Sequence, residues 1–122
     1  MLEQEALTER IIGCAIEVHR VLGPGFVEGM YEEALSMEMT QQGLRYQRQQ
    51  WIPVFYHGTE IGRHRLDLLV EDEIVVEIEA VRAFEDVHFA VVRSYLKAMG
   101  KKHGLLFNCS ARPLGIRRVI SP

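Results

Sequence analysis

The sequence predicts an α/β (α+β) protein, with helices packed on a mixed central sheet in one domain over residues 1–122. Three observations carry this. The first forty residues hold two stretches of helical periodicity, residues 45–78 switch to the two-residue period of strands, and a helical stretch then lies between two apolar strands. A strand, a crossover of about twenty residues and a second strand make a parallel βαβ unit. The strands before it pair as hairpins, so the sheet is mixed.

In the first helix, "LTERIIGCAIEVHRVLG", Ile11, Ala15, Val18 and Leu22 form a stripe with Ile12 and Ile16 alongside. Thr8 is placed to cap it, and Gly23-Pro24 to stop it. The second starts near Glu28, with Val27, Tyr31, Ala34, Leu35 and Met39 facing inward and Gly43 at its end. "WIPVFYHG" reads as a strand at an edge, because Pro53 has no N–H to offer a ladder, and it turns at Gly58. "IGRHRLDLLV" and "IVVEIEA" follow. Asp86 is placed to cap a third helix, with Val87, Val91 and Tyr95 on one stripe and Val92, Leu96 and Met99 on the next. "HGLLFNCS" is a short buried strand, and "LGIRRVI" adds another.

Composition excludes little. The net charge of −3 gives no overall basic field to draw nucleic acid, although "RHR" (63–65), "KKH" (101–103) and "RR" (117–118) are local basic clusters. More often such clusters are solvated surface. No apolar run approaches the roughly 18 residues of a membrane span, and the polar N-terminus is unlike a signal peptide, so the expectation is a cytoplasmic protein with no membrane partner. Cys14 and Cys109 lie far apart in apolar segments and are expected to be reduced, buried thiols.

The register of one hairpin follows from parity. In "RLDLLV" the residues Leu66, Leu68 and Val70 share a face, and in "IVVEIE" so do Ile74, Val76 and Ile78. The apolar faces coincide only if paired positions sum to an even number. Pairing Val70 with Ile74 across the loop Glu71-Asp72-Glu73 puts Leu68 opposite Val76, Asp67 opposite Glu77 and Arg65 opposite Glu79. Opposed carboxylates destabilise a sheet unless something neutralises them. On an exposed face water and cations do so; in a cleft, a divalent metal does. Pattern alone favours the solvated acidic face.

"GFVEGMY" (25–31), followed in order by "RLDLLVED", "IVVEIEA", "H.A....YLKA.G" and "GLLFN", resembles the GxxExxY proteins, which are placed in the PD-(D/E)XK nuclease-like superfamily. The resemblance runs from about residue 8 to 119. It implies a restriction-endonuclease-like core and Mg²⁺- or Mn²⁺-assisted phosphodiester hydrolysis. It implies Glu28, Asp67 and Glu77 as metal ligands, Asp67, Glu77 and Glu79 as catalytic, and Tyr31, His88 and Tyr95 as residues near substrate. Two positions depart from the pattern. Glu79 stands where the motif has Lys, and Val91 where the third helix usually has Gln, one turn before Tyr95. Glu cannot replace the cation, and Arg65 is placed to neutralise it. The expectation is therefore a metal-dependent nuclease of weakened, altered or lost activity. The alternative is a non-catalytic module of the same fold that binds nucleic acid or protein. With so small a core, a partner or a homodimer would supply further recognition.

Overall fold

The computed structural model describes residues 4–121. In chain order its elements are α1 (Glu5–Leu22), α2 (Glu28–Gln41), β1 (Tyr46–Tyr56), β2 (Thr59–Val70), β3 (Ile74–Glu79), α3 (Asp86–Met99), β4 (His103–Asn108) and β5 (Gly115–Ile120). The five strands form one sheet in the order β1-β2-β3-β4-β5. β3 and β4 are parallel and the other neighbours antiparallel, so the sheet is mixed, as expected.

Two apolar layers enclose the sheet. Ile11, Cys14, Ala15 and Val18 of α1, with Tyr31, Leu35 and Met39 of α2, pack on Leu68, Val70, Val76, Ile78 and Phe107. On the other face Val92 and Leu96 of α3 pack on Ile52, Leu66, Leu69, Val75 and Leu106. β3 is buried on both faces, which is why "IVV" shows no polar alternation until Glu77.

The helix limits differ from expectation in detail. α1 begins three residues before Thr8, which lies buried inside it while its N–H bonds the Gln4 carbonyl. The cap of α3 is Glu85, not Asp86, and its capping partner is His88, whose Nδ1 accepts the Glu85 N–H at 2.8 Å. Val27 and Val87 are exposed, and Val91 is partly so. These helices bury a narrower stripe than their apolar residues suggest, because each contacts the sheet on one side only. α1 ends at Gly23, with φ of 69°, as its Gly-Pro pair foretells.

The β2–β3 register is the one parity demands: Val70 pairs with Ile74, Leu69 with Val75 and Leu68 with Val76. The loop has no glycine, and Glu71 and Asp72 both take positive φ. Glu71 is anchored by its carboxylate, which accepts the Arg45 N–H at 2.6 Å. Leu66 departs from the expected face. It packs with Leu69 under α3, while Leu68 and Val70 pack under α1 and α2. The alternation of β2 therefore breaks at Asp67.

Gly104 marks the closest approach of α3 to the sheet. A Cβ there would lie 2.7 Å from Val92 Cγ1. Val92 is β-branched, helical and buried, so it has little freedom to move aside. Gly104→Ala is expected to cost about 1–3 kcal/mol of stability, read as a lower urea midpoint at unchanged slope.

Candidate active site

β2 and β3 stop pairing after Leu68 and Val76, and there the strands fork. Two carboxylates complete the connection in place of backbone carbonyls. The Asp67 N–H donates to Glu77 Oε2 at 2.7 Å, and the Ile78 N–H donates to Asp67 Oδ2 at 2.8 Å. The opposed acids are thus interlocked, each holding the other strand's backbone. β1 is distorted at the same level. Gln49 stands across from Asp67, between the rungs Arg48–Leu68 and Gln50–Leu66, with a left-handed φ of 53° in mid-strand. A non-glycine residue there stores about 1–3 kcal/mol of strain, which the surrounding ladder must hold.

The electrostatics of the fork are unbalanced. Glu77 is 7% exposed. Burial, and then the charge of Asp67, push its carboxyl up to about 9. Asp67 is also raised, by burial first, and then by Glu32 and Glu28 against the lowering bond from the Ile78 N–H. Among the described residues no Lys or Arg forms an ion pair with either acid. Glu79 is raised by burial, then by the charge of Glu28, and a hydrogen bond with the Glu28 side chain adds to the rise. His88 opposes that shift. The His88 Nδ1 is committed to the helix cap, so a neutral ring carries its proton on Nε2.

The other expected residues divide. Glu28, in the first turn of α2, accepts the Ala80 N–H at 3.1 Å and so reaches the end of β3. Tyr95 feels the charges of Glu77, Asp67 and Glu79, and with burial the largest cause its hydroxyl is pushed up to about 12. It therefore stays protonated, a donor facing the acids. Tyr31 faces elsewhere. It is buried, its hydroxyl donates to the Gly23 carbonyl and accepts the Phe26 N–H, and it braces the α1–α2 loop. Arg65 does not cross to Glu79; its guanidinium lies over the Trp51 ring, 5.5 Å from the centroid. Trp51 is its direct neighbour on β1, and stacking there keeps the cation exposed.

Two residues at the site were not foreseen. Glu32 is buried one turn after Glu28, and Arg48 holds it through Nε and Nη2 at 3.1 and 2.9 Å. The signal was there: Glu32 lies between Tyr31 and Leu35 on the inward stripe, where a charge needs a partner. Gln49 bridges the acids, donating from its amide to Glu32 and hydrogen-bonding Asp67. Nothing in the local sequence announces it, because its role depends on the irregular backbone.

The interlocked pair suits a hard divalent cation. It offers oxygens from a buried Glu77 and a half-buried Asp67, and Mg²⁺, which commonly takes one or two carboxylates with waters, would displace the proton that Glu77 holds. The expected three-acid set is not assembled: among the described residues no three His, Cys, Asp or Glu side chains are arranged to hold a metal together. A groove of about 600 Å³ between α1 and α2, lined by Val18, Val21, Ala34 and Met37, contains none of the acids at the fork.

A mixed five-stranded sheet flanked by three helices is consistent with the restriction-endonuclease-like fold. The family model of the PD-(D/E)XK nuclease superfamily matches residues 5–119, and the chain belongs to that superfamily. Enzymes of this superfamily generally use divalent metals. The fold is similar to the crystal structure of SSO0001, with a TM-score of 0.61 at 15% identity over 98% of this chain. The chain spans 60% of that structure's length. No curated protein sequence matches it. Among the described residues no helix is long and apolar enough to cross a membrane.

Proposed function

We propose that this chain is a divalent-metal-dependent phosphodiesterase acting on nucleic acid, of the GxxExxY kind that "GFVEGMY" suggests, with its site at the β2–β3 fork. The supporting observation is the mutual insertion of Asp67 and Glu77 into each other's strands, which fixes one buried and one half-buried acid with no Lys or Arg ion-paired to either among the described residues. Asp67 and Glu77 would hold the metal, with Mg²⁺ or Mn²⁺ the natural choice for oxygen donors. When bound, it would polarise a phosphoryl oxygen and acidify a water. Glu79 is the proton acceptor of this scheme. Water attacks phosphorus as the bond to the ester oxygen breaks, the water's proton passes to Glu79, and the leaving oxygen takes a proton from solvent. The raised pKa of Glu79 brings it nearer neutral pH, where a base is most effective. Tyr95 keeps its proton and donates a hydrogen bond to a phosphate oxygen.

A second reading has its own support. Glu79 carries the wrong sign for the motif Lys and is paired to Glu28, which favours a fold that binds without cleaving. The two readings part in a nuclease assay on single-stranded and duplex substrates with Mg²⁺ or Mn²⁺. The double variant Glu79→Lys with Val91→Gln is expected to cleave at least about tenfold faster than wild type if the anion limits the chemistry, one pKa-unit-sized barrier change of about 1.4 kcal/mol. A folded double variant with no gain would show that Glu79 is not the defect.

A further inference from the structure

β1 and β2 continue as a two-stranded ribbon well beyond the fork, paired from Gln50–Leu66 to Tyr56–Thr59. One face of its base packs on α3: Ile52 joins Val92 and Leu96, and the His64 ring lies 4.5 Å from that of Tyr95. From Pro53 to Arg63 every residue but Val54 is exposed. The face turned away from α3 carries Trp51 beside Arg65, Pro53 beside Arg63, and Phe55 beside Glu60. Trp51 is 56% exposed and Phe55 60%. An acidic protein has placed its single Trp, another aromatic ring and two arginines together on one projecting face. Among the described residues Arg63 pairs with Glu60, at 3.5 Å with both side chains exposed, a contact worth little in water.

On the reading of the fork as a phosphodiesterase site, we infer that this ribbon face binds single-stranded nucleic acid, with bases stacked on Trp51 and Phe55 and phosphates on Arg63 and Arg65. Three features favour that occupant. Aromatic faces recognise unpaired bases, which a duplex keeps stacked inside. The arginines complement a polyanion. Arg65 is two residues from Asp67, about 7 Å of extended chain, so a strand held there leads to the acids.

The test uses a fluorescein-labelled 12-nucleotide oligothymidylate and a duplex of equal length, in EDTA so that nothing is cleaved. The intrinsic fluorescence of Trp51 and the anisotropy of the label are followed together. Quenching of Trp51 is expected with the single strand, along with binding at least about tenfold tighter than to duplex. Trp51→Ala should weaken binding about tenfold, and Trp51→Phe should restore part of it. Arg63→Ala and Arg65→Ala should each flatten the dependence of log affinity on log salt by about 0.7. Unchanged binding by folded Trp51→Ala overturns the inference, as does a preference for duplex. So does a wild-type dimer that Trp51→Ala dissolves, since the face would then belong to a second copy. Single-strand binding through Trp51 without any cleavage in Mg²⁺ or Mn²⁺ upholds it and removes the phosphodiesterase reading instead.

Discussion

Asp67→Ala is expected to abolish the response of the protein to Mg²⁺ and Mn²⁺. Both the rise in melting temperature and any cleavage of nucleic acid should be lost, cleavage by at least about a hundredfold, since even residues that only orient metal ligands cost 10- to 100-fold. The variant also removes the acceptor of the Ile78 N–H, so some destabilisation without metal, about 1–3 kcal/mol, accompanies the loss. Asp67→Asn separates the two effects. Its amide oxygen can still accept that N–H while the charge is gone, so it should fold like wild type and still fail to respond to metal. A metal-induced shift in melting temperature of equal size in wild type and Asp67→Asn would remove the fork from the metal site.

Glu77→Gln is expected to stabilise the metal-free protein at alkaline pH and to leave it nearly unchanged at acid pH. The carboxyl of Glu77 stands at about 9 in the folded chain, against about 4.3 when unfolded. Between those values the folded state holds the proton and the unfolded state releases it. Stability is therefore full below about pH 4 and falls as pH rises toward 9. Asp67 and Glu79 are raised too and act in the same direction. The loss attributable to Glu77 is of order a few kcal/mol. Melts of wild type and Glu77→Gln at pH 5 and pH 8.5 measure it directly, with the gap opening at the higher value. Added Mg²⁺ should raise the wild-type melting temperature more at pH 8.5 than at pH 5, because binding must displace the proton. A wild type that grows more stable with pH over this range would contradict the assignment.

The hairpin at the centre of the site was legible because two constraints coincide there. Val70 and Ile74 must share a buried face, and a period of two leaves one register that allows it. That brings Asp67 to Glu77 with no knowledge of the rest of the chain. The same rule misplaced Leu66, because periodicity holds only while the strand is regular, and the strand breaks at Asp67. Gln49 escaped for the same reason. Its left-handed backbone is imposed by the fork and not by its own preferences. Val87 and Val91 are apolar at helical spacing yet stand largely outside the packed stripe of α3, so spacing alone could not tell which residues the sheet would cover. Asp86 and Thr8 are good capping residues passed over for neighbours, a one- to three-residue matter settled by where the chain leaves the preceding strand or loop.

Each acid of the interlocked pair serves two masters. One oxygen of each replaces a carbonyl in the architecture of the sheet, while the same side chains are the metal ligands proposed above. A chain of this fold with no hydrolytic activity would still need both residues to keep these strands attached. Glu79 is differently placed, since its side chain supports no backbone amide among the described contacts and can be exchanged without loosening the sheet. In such a scaffold the durable acids testify to architecture, and position 79 is one that architecture leaves free to change.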